Sequence, residues 1–509
     1  MPDPVNAQTQ MSSGALVRRS ALRGGTLLAA GTVVERLARL GRNMLLARVI
    51  APEEFGVMAI ALAVIGLFEA ITEVGIAQAV IQNKRGDTAA FLNVAWWFGL
   101  ARGLALVIIA LPLAPLLASF YQIPELNDLL LVAPLTMLFT GLTSPRIYAL
   151  QRQFKFGATL WTTQGAGVLA TIFTIILGYH LQNVWALMLG TVFEALLRCV
   201  LSFIFVPIKP SFKLDPESRR DLFKFTKGMA GLPLLTFIIL QADTFVLGRV
   251  SSTALLGLYS MAIALANFPL MVFSKVVQPL VVPIFATVHE SFVALRDRFV
   301  QLSRLVWMFG LPMATIMAVF AEPLLVLVYG RPEFTQVTTA FGIYAFFVVI
   351  YMSSMVSFSV YLAIARPERQ RVVTIVRAVL VMATIYPLSL RFGPSGAAMS
   401  LLLALVLAMT VQLFSLRRVI GLPIHTYLGS IRSGIVTSGM VVVPSLAVIL
   451  FLDLTNLAEV AIAIGLGALA WGLCIMRERR NLRQLRAEGQ RPSTAATTRP
   501  EPSDEDTQS

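Results

Sequence analysis

Long apolar runs, separated by short polar breaks, dominate this chain of 509 residues. Apolar residues make up 57% of the sequence and charged residues 13%, whereas a soluble globular domain carries roughly 25% charged residues. A membrane-spanning helix needs about 20 consecutive apolar residues, so this content supplies at most about fourteen spans. The runs lack the period-two alternation of barrel strands. The sequence therefore predicts an all-α integral membrane protein.

The runs and their breaks predict about fourteen transmembrane helices, six on each side of a polar stretch and two at the end. The helices are predicted near 26–50, 55–81, 90–119, 129–150, 157–178, 183–206, 228–250, 254–286, 303–329, 335–364, 369–390, 394–417, 431–452 and 456–476. The chain is thus divided into a cytoplasmic N-terminal segment (1–20), a first six-helix lobe (21–208) and a basic cytoplasmic linker (209–227). A second six-helix lobe (228–418), two extra helices (419–476) and a disordered cytoplasmic tail (477–509) follow. The tail is assigned from its polar, Pro-rich composition.

Lys and Arg residues alternate between the two sides of the predicted topology. Loops on one side carry twenty of them, including those of the group Arg366, Arg369, Arg371 and Arg377, and loops on the other side carry four. Short loops with excess Lys and Arg stay in the cytoplasm, so both termini are predicted to be cytoplasmic. The same rule explains the formal charge of +14, and no nucleic-acid partner is predicted.

An internal repeat relates the two halves. A shift of 201 residues, without a gap, superposes six identical residues of the first half on the second. They are Leu46, Arg48, Val49, Gly56, Ala61 and Ala63, which fall on Leu247, Arg249, Val250, Gly257, Ala262 and Ala264. Two halves in the same orientation imply a pseudo-two-fold axis along the membrane normal, with a cavity where they meet.

The repeated segments also carry a family resemblance. The motifs are LARVIAPEEFG at 46–56, VGIAQAVIQ at 74–82, LQRQFKF at 150–156, DTFVLGR at 243–249 and LGLYS at 256–260. In this order they resemble the bacterial polysaccharide transporter family, which belongs to the multidrug/oligosaccharidyl-lipid/polysaccharide exporter superfamily. The resemblance covers about residues 20–475.

That resemblance implies two six-helix lobes around a central cavity and a flippase rather than an enzyme. The expected substrate is an undecaprenyl-pyrophosphate-linked oligosaccharide, moved by alternating access across the bacterial inner membrane for O-antigen, capsule or exopolysaccharide assembly. Membrane lipid and the polysaccharide polymerase or export machinery are the other partners it implies. No cofactor and no metal site are predicted, because the sequence has neither a Walker motif nor a cluster of metal ligands.

Charged residues inside the predicted helices are the candidate site, because each costs about 2.5–3.5 kcal/mol at the bilayer centre. On the first helix Glu35, Arg39 and Arg42 fall within about 60° of one another at 100° per residue. Guanidinium groups donate bidentate hydrogen bonds to phosphate oxygens, so a basic stripe suits a pyrophosphate. The candidate pyrophosphate-binding residues are Arg36, Arg39, Arg42, Arg102, Arg198 and Lys275.

Ion pairing inside the bundle is the alternative explanation for these cations. Five deep acids accompany them, namely Glu35, Glu69, Glu73, Glu194 and Asp243. Glu194 and Arg198 form an i,i+4 pair in the favourable order, and antiparallel packing of the first two helices would set Arg36 near Glu69.

The acids have a possible role of their own. An intramembrane carboxylate can bind a proton or Na⁺, so Asp243, Glu69 and Glu73 are candidate coupling residues. An ion pair of Asp243 with Arg42 or Lys275 is an equally consistent interpretation.

Two other functions stay open on the sequence alone. A multidrug or small-molecule efflux transporter of the same superfamily shares the predicted fold, but an Arg-lined cavity is unsuited to cationic substrates. A membrane polysaccharide polymerase or ligase would use the same lipid donor, but it needs a large outward loop, and the longest one predicted here is the short segment near 121–128.

Overall fold

The computed structural model is a bundle of α-helices joined by short turns. It describes residues 4–451, apart from 73–74, 154–155, 230–231 and 289, together with six residues between 458 and 472. No β-strand occurs within these ranges, which confirms the all-α prediction. Apart from those six residues, the predicted last helix and the predicted tail at 477–509 lie outside the described residues.

The helices form an N-lobe and a C-lobe joined by a linker helix. The N-lobe consists of α1 (Pro4–Leu46), α2 (Pro52–Ile71), α3 (Ile76–Gln82), α4 (Ala89–Tyr121), α5 (Glu125–Val132), α6 (Pro134–Leu142), α7 (Arg146–Arg152), α8 (Gly157–Thr159), a π-helix (Leu160–Gly165), α9 (Ala166–Leu181) and α10 (Val184–Phe205). The linker helix is α11 (Pro216–Met229). The C-lobe and the helix after it consist of α12 (Leu232–Val250), α13 (Thr253–Ala266), α14 (Phe268–Val272), a π-helix (Phe273–Val277), α15 (Gln278–Ala286), α16 (Phe292–Val319), α17 (Ala321–Tyr329), a 3₁₀-helix (Pro332–Val337), α18 (Thr338–Ala363), α19 (Glu368–Ile420) and α20 (Ile424–Phe451).

Helices occupy the positions of the first thirteen predicted spans, with local differences. The first begins at Pro4, well before its predicted start. The predicted helix 254–286 is broken after Ala266, where Pro269 stands in the first turn of α14. Proline has no backbone N–H and its ring clashes with the preceding turn, so a helix is expected to restart there.

A single glycine separates two spans within α19. Gly393 has φ 55° and ψ −134°, a non-helical conformation between the segments predicted at 369–390 and 394–417. Residues with a Cβ rarely adopt positive φ, so this turn requires glycine. The two predicted spans are therefore confirmed as separate helical segments joined by one residue.

The linker contains the helix α11 and is bound to the N-lobe through Arg85. Asp215 caps α11, because its Oδ2 accepts hydrogen bonds from the backbone N–H (2.9 Å) and the hydroxyl of Ser218. These hydrogen bonds, together with nearby Arg85, hold the pKa of Asp215 below its ordinary value. Arg85 forms ion pairs with Asp215 (2.9 Å) and Glu217 (2.5 Å).

The outer surface of the bundle is apolar. Ile108 and Leu116 on α4 and Val379 on α19 are 68%, 64% and 61% exposed. In the described part of the chain, nine helical segments are long and apolar enough to cross a membrane. An exposed apolar surface of this extent would be unfavourable in water, whereas hydrocarbon accommodates it. The chain is therefore a multi-pass membrane protein.

The lobes meet where α2 packs against α12 and α13. A Cβ added to Gly56 would overlap the carbonyl oxygen of Thr253, and a Cβ added to Gly257 would overlap that of Pro52. Both pairs, Gly56 with Gly257 and Pro52 with Thr253, are related by the 201-residue shift. A contact that occurs twice with its partners exchanged is the mark of a two-fold axis. It supports the predicted pseudo-symmetry of the lobes.

Replacement of Gly56 by alanine should weaken this contact between the lobes. The new methyl group would collide with backbone that cannot rotate away, and overpacking of this kind costs about 1–3 kcal/mol. We expect a lower melting temperature of the purified protein in detergent. The matched control is Gly439→Ala on α20, where an added Cβ has no neighbour within 4 Å. Equal melting temperatures for the two variants would contradict the proposed role of the contact.

Candidate functional site

Four charged side chains on α1 and α10 form one network, here called the N-lobe ion cluster: Glu35, Arg39, Glu194 and Arg198. Arg39 Nη2 donates to Glu35 Oε1 at 2.8 Å and to Glu194 Oε1 at 2.6 Å. Arg198 Nη2 lies 2.5 Å from Glu194 Oε1 and 3.9 Å from Glu35 Oε1. The predicted pair of Glu194 and Arg198 is thus present, and Arg39 joins the two acids.

The N-lobe ion cluster is electrically balanced, with two cations and two carboxylates. Glu35 is 6% exposed, and it lies 11 residues, or about 16 Å, before the end of α1. A carboxylate so deep in a membrane protein needs cationic partners. Among the six predicted pyrophosphate ligands, Arg39 and Arg198 therefore have acidic partners already, as the alternative explanation expects.

Arg102 has a different set of partners. Its Nε donates to Thr72 Oγ1 at 3.1 Å, and its Nη2 donates to the backbone carbonyl of Glu69 at 3.3 Å. Thr72 is the C-cap residue that follows the last residue of α2, Ile71. The last carbonyls of a helix lack intrahelical donors and carry partial negative charge. Arg102 therefore stabilises the end of α2.

The three remaining predicted cations, Arg36, Arg42 and Lys275, form no ion pair with an acidic side chain in the part of the chain that the structure describes. Arg42 is half-buried, and its Nε and Nη2 donate only to Asn43 Oδ1, at 3.2 and 3.1 Å. Arg36 and Lys275 are exposed. Lys275 belongs to the π-helix Phe273–Val277, which contacts α1. These cations lie on segments where the lobes adjoin.

Asp243 is buried beside neutral groups. It is 4% exposed, and its Oδ2 accepts a hydrogen bond of 2.8 Å from the Tyr259 hydroxyl. Its Oδ1 accepts one of 2.8 Å from the backbone N–H of Thr244. Within the described residues it forms no ion pair with Arg42 or Lys275, so that interpretation is not supported.

The other two predicted coupling residues lie at the end of α2. Glu69 is half-buried in the last turn of the helix, and its backbone carbonyl accepts the hydrogen bond from Arg102. Glu73 lies outside the described residues.

One deep cation, Arg377, is absent from the residues predicted for the site. The loop counting groups it with Arg366, Arg369 and Arg371, but it lies in α19 and is 8% exposed. Its guanidinium lies over the ring of Tyr351, with 4.9 Å between the guanidinium carbon and the ring centroid. Residues 372–390 are otherwise without charge, and a single charge inside an apolar run is the signal that could have identified it.

Removal of Arg39 should destabilise the protein. The change Arg39→Gln leaves the buried Glu35 and the mostly buried Glu194 with one cation, and loss of one partner of a buried ion pair costs about 3–5 kcal/mol. We expect little folded protein in size-exclusion profiles, and partial recovery when Glu194→Gln is added. Arg36→Gln, on the exposed face of the same helix, is the control and should behave as the parent. A single variant Arg39→Gln that melts at the parent temperature would contradict this assignment.

Sequence comparisons identify relatives. A family model described as "Polysaccharide biosynthesis protein" matches residues 45–337, which is more than half of the chain. The amylovoran biosynthesis protein AmsL of Erwinia amylovora is 27% identical over 49% of this chain and 64% of its own length. The succinoglycan biosynthesis transport protein ExoT of Rhizobium meliloti is 24% identical over 56% of this chain and 58% of its own length. The chain thus matches about three fifths of the length of these curated relatives.

Solved structures share the fold. The lipid II flippase MurJ in an inward closed conformation superposes with a TM-score of 0.73 and 16% identity, over 90% of this chain and all of that chain. An inward-facing multidrug resistance MATE family transporter of the MOP superfamily gives 0.56 and 15% identity, over 75% and 95%. The predicted two-lobe fold of this superfamily is confirmed. From the family match over residues 45–337, the chain belongs to the polysaccharide biosynthesis protein family.

Proposed function

We propose that this protein is a flippase that moves undecaprenyl-pyrophosphate-linked oligosaccharide across the bacterial inner membrane. Its relatives are named for polysaccharide biosynthesis and transport, and its fold is that of a lipid II flippase. In this proposal both termini are cytoplasmic, and a polysaccharide polymerase or export machinery receives the flipped units for surface polysaccharide assembly.

The observation that carries the proposal is a set of cations, where the lobes adjoin, that have no acidic partner among the described residues. Arg42 is the central one, because it is half-buried in α1 and, within the described part of the chain, its guanidinium bonds only to the neutral Asn43. A guanidinium in this position can exchange one neutral acceptor for phosphate oxygens, and charge-assisted hydrogen bonds are roughly twice as strong as neutral ones. Arg36 and Lys275 would add positive charge around it.

The remaining predicted ligands act indirectly in this proposal. Arg39 lies three residues before Arg42 on α1, so both side chains lie on nearly the same face. The positive charge of Arg39 and Arg198 is balanced by Glu35 and Glu194. The N-lobe ion cluster would therefore hold α1 against α10 and fix the position of Arg42, while Arg102 fixes the end of α2.

Alternating access would move the bound pyrophosphate from one side to the other. The lobes contact each other through α2, α12 and α13, and the reciprocal Gly56–Gly257 contact lies on their pseudo-two-fold axis. A rigid-body rotation of one lobe against the other about this contact would expose a site between them to each side in turn.

Replacement of Arg42 by glutamine should abolish flipping and leave the protein folded. The variant loses the cation but leaves no described carboxylate without its ion-pair partner, so we expect no large change in melting temperature. In a strain that lacks the gene, the parent should restore surface polymer. The variant should instead leave lipid-linked oligosaccharide facing the cytoplasm, as measured by extraction and leaflet assignment.

The control is Arg417→Gln, an exposed arginine at the end of α19, which should complement fully. Full complementation by Arg42→Gln would reject the pyrophosphate site. If precursor is flipped normally without the protein and only drug sensitivity changes, the efflux alternative applies.

We propose in addition that Asp243 binds the coupling cation, a proton or Na⁺. The carboxylate is buried and has no cationic partner among the described residues. An ion pair would suppress protonation, whereas the hydroxyl of Tyr259 leaves the carboxylate available to a proton or Na⁺. Glu69 and Glu73 remain further candidates in this proposal.

Replacement of Asp243 by asparagine should remove the dependence of transport on an ion gradient. The side chain keeps its size and a hydrogen bond with Tyr259, but it cannot carry a proton. In proteoliposomes we expect transport by the parent to increase with either a proton or a Na⁺ gradient, and transport by the variant to be insensitive to both. Tyr259→Phe, which keeps the carboxylate, should retain gradient dependence. A gradient response in Asp243→Asn equal to that of the parent would refute this assignment.

A further inference from the structure

The C-lobe contains a cavity of about 510 Å³ between α12, α15, α18 and α19. This volume lies in the range of about 300–1,000 Å³ that is typical of small-molecule sites. Its lining combines apolar residues with the polar side chains of Thr236, Gln278, Ser354, Gln370, Thr374 and Arg377. Every residue that lines it belongs to the C-lobe, so it is separate from the N-lobe ion cluster and from Arg42.

Arg377 is the buried cation of this cavity. It lies nine residues, or about 14 Å, inside α19 from Glu368, and its side chain is more than nine-tenths buried. The guanidinium carbon lies 4.9 Å from the ring centroid of Tyr351 and 5.4 Å from that of Phe347. Aromatic faces on one side of a guanidinium stabilise its charge and leave its edges free for hydrogen bonds.

One edge of this guanidinium has no acceptor. The Nε and Nη2 atoms of Arg377 are buried and form no hydrogen bond with any described residue. Their N–H groups lie on the same edge, the fork through which arginine binds a carboxylate or phosphate with two parallel hydrogen bonds. A buried donor without an acceptor is energetically unfavourable, so an anion at this edge would remove that penalty.

The polar wall of the cavity is held in place. Ser354 donates to Gln412 Oε1 at 2.8 Å, and Gln412 Nε2 donates to Gln370 Oε1 at 3.0 Å. Gln412 is fully buried, so its bonds fix Ser354 and Gln370 at the cavity surface. Amides and hydroxyls in fixed positions suit a ligand that carries hydroxyl groups beside its anionic group.

Two charged residues lie at the mouth of the cavity. Glu368 and Arg371 are both exposed, and their opposite charges balance. The net charge of the cavity lining is therefore that of Arg377.

We propose that this cavity is an anion site of the C-lobe, where the Nε–Nη2 edge of Arg377 binds a carboxylate or a phosphate of a hydroxyl-rich ligand. The inference rests on the proposed function in one respect, because an acidic sugar of the oligosaccharide and the phosphate of the lipid carrier are the two sources of such a group. The site itself follows from the C-lobe alone and is tested by binding, without transport.

The test measures the affinity of four probes for the full-length protein in nanodiscs. The probes are glucuronate, glucose, inorganic pyrophosphate and undecaprenyl phosphate, and the proteins are the parent, Arg377→Gln, Arg377→Lys and the control Arg417→Gln. We expect at least one anionic probe to bind about tenfold or more weakly to Arg377→Gln, since a charge-assisted hydrogen bond contributes about 1.5–3 kcal/mol. Its affinity for Arg417→Gln, an exposed arginine outside both proposed sites, should match that for the parent.

The pattern of loss identifies the source. Loss of glucuronate binding, with no binding of glucose, assigns the site to an acidic sugar, and loss of pyrophosphate or undecaprenyl phosphate binding assigns it to the carrier. If Arg377→Gln does not fold, Arg377→Lys carries the test with the same threshold, because lysine keeps the charge but lacks the fork. The proposal is overturned if a folded Arg377 variant binds every anionic probe with the affinity of the parent. Failure of Arg42→Gln to affect transport would reject the proposed function but leave this result standing.

Discussion

The cost of placing charge in hydrocarbon organises this structure. Each charge at the bilayer centre costs about 2.5–3.5 kcal/mol, so a deep charge needs a partner or access to water. The chain uses three solutions. Glu35, Arg39, Glu194 and Arg198 neutralise one another. Arg102 binds the carbonyl end of a helix, and Arg377 lies on aromatic rings. Arg42 follows none of these, and this exception makes it the centre of the proposed pyrophosphate site.

Much of the architecture could be predicted from the sequence because the signals are long and redundant. Apolar runs of membrane length recur with short breaks, so the helix order and most boundaries agree with the structure. The repeat was visible for the same reason: Gly56 and Gly257 match under the 201-residue shift, and both are needed where two backbones approach closely. Helix positions depend on local hydrophobicity and can therefore be predicted without knowing how the helices pack.

The partners of the charges could not be predicted equally well, because they depend on which helices pack together. The predicted proximity of Arg36 and Glu69 requires that the first two helices pack against each other as a hairpin. The main neighbour of α1 is α9, whereas α2 packs against α12 and α13, so Arg39 instead reaches Glu194 on α10. The hairpin rule holds for α12 and α13, where Asp243 and Tyr259 lie at similar distances from the turn and are hydrogen-bonded. Arg377 is not among the predicted ligands, because its position a few residues after Arg366, Arg369 and Arg371 is typical of a cytoplasmic loop.

The contact between Gly56 and Gly257 lies far from the other end of α2, so a small rotation about it produces a large displacement there. Gly56 lies near one end of α2, and Ile71 at the other end is 15 residues, or about 22 Å, away. A lobe that tilts by about 10° around the glycine pair would move that far end by about 4 Å while the pair itself hardly separates. A large opening on one side of the membrane would then require only a small displacement at the contact between Gly56 and Gly257. The absence of two methyl groups at this contact thus sets how far the distant ends of the lobes would move in the proposed transport cycle.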